Sequence, residues 1–96
     1  MKRYCGQRTI DGIVVTVDDQ LLDQRFDIHP YDDKGFEWSY IGSAPRQLAL
    51  AILAEHTGDA ATARQHVEAF TQTIVANLDN EWTLTSQDVE QSLSQQ

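Results

Sequence analysis

Phe36, Trp38 and Tyr40 alternate along the chain, and Ser43 and Arg46 follow at the start of a helix-like segment. If that stretch is extended, the three aromatic rings point to one side. The free N–H groups and dipole of a helix N-terminus favour an anion. Trp38, Tyr40, Ser43 and Arg46 are therefore a candidate site for an anionic group, with aromatic walls. The same residues also read as core aromatics and a helix cap. The Gly42-Ser43-Ala44-Pro45 run lacks the Gly-Lys-Ser/Thr ending of a phosphate loop.

Carboxylates form the second candidate. Between Asp11 and Glu37 stand eight acids against two bases, Arg25 and Lys34. Asp18, Asp19, Asp23, Asp32, Asp33 and Glu37 would present an acidic surface on rigid turns. Such a surface suits a protein with exposed Lys and Arg, and it competes with nucleic acid for them. A solvated face that keeps a small protein soluble has the same composition. Adjacent acids at turns are not a catalytic pair, and no alternating calcium-loop pattern is present.

Other reactive groups lack a partner by spacing. His29, His56 and His66 have no i, i+4 pair for a metal. His56 and His66 fall on neighbouring helices and would meet only in a favourable hairpin. Ser43 lacks the Gly-x-Ser-x-Gly context of a nucleophile elbow. Cys5 is the single cysteine, so a disulfide within the chain and a cysteine metal cage are excluded. No cofactor or metal is expected.

Composition narrows the partners. Ninety-six residues carry fifteen acids and seven bases, a net charge of −8. That field repels phosphates, so direct nucleic-acid binding is disfavoured; Lys2, Arg3 and Arg8 are few against it. The longest apolar run, Leu48–Ala54, is too short to span a bilayer. The N-terminus has no apolar stretch of the signal-peptide kind. A cytoplasmic location without a membrane role is expected, and a homodimer is left open.

The elements that position these residues follow from patterning. The expected architecture is one α+β domain over 1–96. Three to four short antiparallel strands in 1–41 pack against three helices in 43–96. Asp11-Gly12 predicts a two-residue type I′ turn that pairs Ile10 with Ile13, Arg8 with Val15 and Gly6 with Val17. Ile10, Ile13, Val15 and Val17 then face the helices. Arg8 falls on that apolar face. Snorkelling, an acid from a later segment or a shifted register would each explain it. Arg25–Ile28 alternates as a third strand, ended by His29-Pro30. Phe36–Tyr40 is a fourth strand or an ordered loop.

Ser43 is the expected N-cap of a helix running to His56 or Thr57, with Gly58 as terminator. Asp59 caps a second helix with the stripe Ala63, Val67, Phe70, Ile74 and Leu78, ended by Asp79-Asn80. Trp82 and Leu84 sit in a connector. Thr85-Ser86-Gln87-Asp88 reads as a capping box for a last helix that turns Val89 and Leu93 inward. Ser94–Gln96 should fray.

The segments Tyr4-x-Gly6-x-Arg8-Thr9-x-x-Gly12, Gly35-Phe36-x-Trp38-x-Tyr40-x-Gly42-Ser43-x-Pro45-x-Gln47-Leu48-Ala49-Leu50-Ala51-Ile52-Leu53 and Trp82-x-Leu84-Thr85 carry a resemblance. They resemble a family of small domains of unknown function found in bacteria, archaea and mobile elements. The resemblance covers nearly the whole chain. It implies a self-contained α+β domain and brings no catalytic residue, cofactor or partner. The family tends to hold a neutral residue where Arg46 stands, which weakens a shared anion site there. The function expected on these grounds is a non-enzymatic interaction module. Its sharpest form is a mobile-element inhibitor of a host nucleic-acid-binding system, anti-restriction or anti-CRISPR in style. The alternative is a ligand-binding or enzymatic domain using the helix-start anion site.

Overall fold

Strands β1 (Arg3–Thr9) and β2 (Gly12–Val17) form an antiparallel hairpin in the computed structural model, which describes residues 1–95. Thr9 pairs with Gly12, Arg8 with Ile13, Gly6 with Val15 and Tyr4 with Val17. The pairing is displaced by two residues from the expected one, and Ile10 and Asp11 are the turn residues. Neither has positive φ, so the type I′ turn expected here does not form. The Thr9 hydroxyl explains the shift. It accepts from the Asp11 N–H at 3.2 Å and donates to the Gly12 carbonyl at 2.7 Å, closing the turn one residue early. A shift of two preserves which face each side chain takes. Ile13, Val15 and Val17 still face the helices, but Ile10 stands in solvent at 101% relative exposure.

The left-handed pair occurs at the other end of β2. Asp18 and Asp19 have φ of 49° and 68° and connect β2 to β3 (Gln20–Leu21). Aspartate tolerates this region better than most residues. Asp18 also joins the first strand: its Oδ1 accepts the Arg3 N–H and its own N–H donates to the Arg3 carbonyl, both at 2.9 Å.

The third and fourth strands are not where alternation put them. Arg25–Ile28 forms a turn, with Arg25 at φ 57°. The Asp23 carboxylate accepts the Arg25 N–H at 2.8 Å, and this local bond competes with a sheet ladder. Phe36–Tyr40 is a loop. The fourth strand is β4 (Trp82–Thr85), the expected connector, which pairs with β1 and sets Trp82 opposite Gly6. The antiparallel sheet runs β3-β2-β1-β4.

Three helices complete the α+β fold. α1 (Ser43–Thr57) has Gly42, not Ser43, as N-cap, because the Ser43 hydroxyl is turned to Asp32. Leu48 to Ala54 are all buried, so α1 is a core helix covered on every side. Gly58, at φ 69°, ends it. Asp59 caps α2 (Ala60–Thr73) by accepting from the Ala61 N–H at 3.0 Å. The α2 stripe Ala63, Val67 and Phe70 is buried, but the helix stops at Thr73, six residues short of Asp79. Asn77 Nδ2 donates to the Gln72 and Thr73 carbonyls and satisfies the helix end, and a 3-10 turn (Val75–Asn77) buries Val75. The capping box at Thr85 and Asp88 starts α3 (Ser86–Ser94), with Val89 buried and Leu93 packed on the core. Ser94 closes α3; Gln96, part of the segment expected to fray, lies outside the described residues. No helix among the described residues is long and apolar enough to cross a membrane.

Candidate functional site

Arg8 organises the aromatic loop. It points from β1 toward the helices and meets an acid from a later segment: Nη2 lies 2.7 Å from Glu37 Oε1. Nη2 also donates to the Trp38 carbonyl at 3.0 Å, and Nη1 to Asn80 Oδ1 at 2.6 Å. The guanidinium carbon stands 4.5 Å from the Trp38 ring centroid, a cation–π distance. Of the three explanations for an arginine on this face, the acidic partner from a later segment is the one that applies, because a register shift of two leaves Arg8 on the same face. Trp38 is fully buried, donates Nε1–H to the Asp79 carbonyl at 2.7 Å and meets Trp82 edge-on at 5.6 Å.

The structure does not gather the four residues of the expected anion site around one point: Trp38, Ser43 and Arg46 each take a separate partner, and Tyr40 stands at the surface. Ser39 at φ 78° interrupts the extended backbone, so Trp38 turns into the core while Tyr40 stays 49% exposed beside Gly42. Ser43 Oγ donates to Asp32 Oδ2 at 2.8 Å. Asp32 sits below the ordinary carboxylate pKa because the Lys34 N–H and then the Ser43 hydroxyl donate to its charged form. Arg46 forks onto Glu68 at 2.9 and 3.0 Å, and Arg46 followed by Gln72 holds Glu68 below its ordinary pKa. The side chains of Ser43 and Arg46 in α1 therefore each hold a carboxylate of this chain.

The acidic residues divide between several places. Asp18 and Asp19 lie at the β2–β3 turn, and the six residues of β2, roughly 20 Å of strand, separate them from Asp11 at the opposite turn. Asp23 accepts from the Arg25 backbone, Asp32 holds Ser43, and Glu37 is paired with Arg8. Asp33 is exposed. Lys2–Glu55, Arg25–Asp27 and Arg46–Glu68 are the other Lys/Arg ion pairs among the described residues. Asp18, Asp23, Asp59 and Asp88 are exposed and accept hydrogen bonds but form no ion pair, whereas the carboxylates of Asp11, Asp19, Asp33, Asp79 and Glu81 are exposed with neither among those residues.

The histidines are distributed. His56 Nε2 lies 2.6 Å from Glu90 Oε2 and ties α1 to α3, while His29 stacks edge-on against Tyr31 at 4.4 Å. No group of three or more His, Cys, Asp or Glu among the described residues is arranged to hold a metal ion. Gln47 was not singled out by residue type, yet it is fully buried and fully used. Its Nε2 donates to the Gln24 and His29 carbonyls at 2.6 and 3.2 Å, and its Oε1 accepts the Asp32 N–H at 3.1 Å. The available signal was a lone amide one helical turn before the buried Leu50 and Ala51. The helix-free face of the sheet carries an open cavity of about 490 Å³ between Cys5, Gln7, Val14, Thr16, Glu81 and Thr83, with Cys5 Sγ 3.7 Å from Thr83 Oγ1.

The model of a family of unknown function (DUF6166) matches residues 4–95. No curated protein and no solved structure matches the chain.

Proposed function

The chain belongs to that family of unknown function, and from this premise we propose that it is a small interaction module that binds a basic surface of a partner protein. One observation supports the reading. Internal pairing takes four of the seven Lys and Arg side chains but leaves the carboxylates of Asp11, Asp19, Asp33, Asp79 and Glu81 exposed, with neither an ion pair nor a hydrogen bond among the described residues. Unpaired carboxylates on a folded scaffold attract Lys and Arg at long range and favour a complementary surface. In its sharpest form the module is a mobile-element inhibitor of a nucleic-acid-binding host system, of the anti-restriction or anti-CRISPR kind. Its carboxylates would compete with phosphates for the same cations.

The test is affinity capture from nuclease-treated lysate of the source cells, with the five acids changed to Asn or Gln in a parallel bait. Retention of a basic protein by the native bait, weakened by salt and lost by the neutralised one, is the expected result. Equal retention by both baits overturns the reading. The competing ligand-site reading requires a small anion to displace Asp32 from Ser43 or Glu68 from Arg46. A metabolite that raises the melting temperature, and fails to do so in Arg46→Ala, would favour it instead.

A further inference from the structure

We infer that the partner docks on the end of the molecule formed by the β1–β2 turn, the 39–41 loop and the 79–81 segment, with Ile10 as the apolar anchor and Asp11, Asp79 and Glu81 as an acidic rim. The inference rests on the interaction reading above and names its surface.

The three segments share one end of the fold through Arg8. Two residues before Ile10, its guanidinium bonds the Trp38 carbonyl and Asn80, and Trp38 in turn bonds the Asp79 carbonyl. Glu81 precedes Trp82, which pairs with Gly6, so Glu81 lies beside Gln7 on the way to the turn.

Ile10 has no role inside the chain. At 101% relative exposure it buries nothing, and it occupies a two-residue turn, where Gly, Asn, Asp and Ser are the favoured types. A β-branched apolar side chain held out on a hydrogen-bonded turn is preorganised to enter a pocket. Tyr40 and Ile41, 49% and 54% exposed, add apolar surface on the adjoining loop. Around them Asp11, Asp79 and Glu81 are exposed acids, and Arg8, the cation at this end, is already taken by Glu37. The complementary occupant is a protein surface with an apolar pocket bordered by Lys or Arg, because an apolar centre with a charged rim is how specific interfaces are built. A phosphate backbone fits neither the anchor nor the sign of the rim.

The protein captured in the experiment above, identified by mass spectrometry and purified, is titrated against variants of the full chain. Ile10→Ala and Asp11→Asn/Glu81→Gln are expected to weaken binding about tenfold or more. Asp18→Asn/Asp19→Asn, at the far end of β2, is expected to leave affinity within about twofold, since separated surface sites act independently. Ile10→Ala should melt with the native protein, because the side chain it truncates is outside the fold. Native affinity in Ile10→Ala together with loss in Asp18→Asn/Asp19→Asn overturns this docking end and leaves the interaction reading standing. Unchanged affinity in every variant likewise overturns this docking end, whereas the interaction reading itself falls only if the native and five-acid baits retain the protein equally.

Discussion

The indole of Trp82 occupies the space a side chain on Gly6 would need: a Cβ there would come within 2.3 Å of Trp82 Cε2. The two residues face each other across β1 and β4. Trp82 is itself held against the buried Trp38. Gly6→Ala therefore cannot be absorbed by a flexible side chain. We expect it to lower the unfolding free energy by about 1–3 kcal/mol, the range for overpacking a core. Urea unfolding followed by tryptophan emission measures this. Native stability in Gly6→Ala would show that the indole has a second berth.

Tyr4 is fully buried, and its hydroxyl has no hydrogen-bond partner among the described residues. Burial, followed by the charges of Glu55 and Asp18, raises its pKa from 10.0 to about 12. Between those values the folded state keeps a proton that the unfolded state has lost. Stability from this group is complete below pH 10 and falls as pH rises toward 12. Tyr4→Phe should remove that alkaline loss. It should also raise stability at pH 7, by about 1 kcal/mol, since an unpaired buried hydroxyl is unfavourable. Urea titrations at pH 7 and pH 11 check both parts. A destabilised Tyr4→Phe at pH 7 would mean that the hydroxyl is bonded.

The parts of this fold legible in the sequence are those set by local chemistry. The cap at Asp59, the terminator at Gly58, the box at Thr85 and Asp88 and the buried run Leu48–Ala54 each follow from a few neighbouring residues. The errors arose where a side chain bonds nearby backbone. The Thr9 hydroxyl moved the hairpin turn, the Asp23 carboxylate turned the chain at Arg25, and Asn77 ended α2 early. Strand β4 was missed for a different reason. Trp82–Thr85 is a strand because Gly6, seventy-six residues earlier, leaves room for its indole, and such pairing has no local signature. At the candidate site, the residue types that hold anions were legible. That Asp32 and Glu68 occupy them was not, because both pairings are made only in three dimensions.

Arg8 and Glu37 form a pair whose side chains are 30% and 33% exposed, enough for water to screen it. A double-mutant cycle of Arg8→Met and Glu37→Gln should give a coupling energy of about 0.5–1 kcal/mol. Arg8→Met alone should cost more than the coupling. It also loses the bonds to the Trp38 carbonyl and Asn80 and the contact with the Trp38 face. Arg8→Lys should not restore stability, because one ammonium cannot reproduce the planar fork. Rescue by lysine would reduce Arg8 to a point charge.

Gln47 is the residue on which the irregular segment between β3 and α1 depends. From inside α1 it bonds three backbone groups of that segment, at Gln24, His29 and Asp32, and it is fully buried. Gln47→Leu fills nearly the same volume but leaves one N–H and two carbonyls without this partner. The expected loss is about 2–4 kcal/mol, the cost of several unsatisfied backbone groups offset by the apolar side chain. Gln47→Glu should be worse. Its carboxylate, buried against two carbonyl oxygens, has to take up a proton to remain there, so that variant should recover stability as pH falls toward 5, while Gln47→Leu should not. Hydrogen exchange adds a local reading, since the Asp32 amide should lose protection before the amides of α1 do. If the Asp32 amide kept its protection in Gln47→Leu, the segment would be held by its other contacts and the three bonds to Gln47 would be incidental.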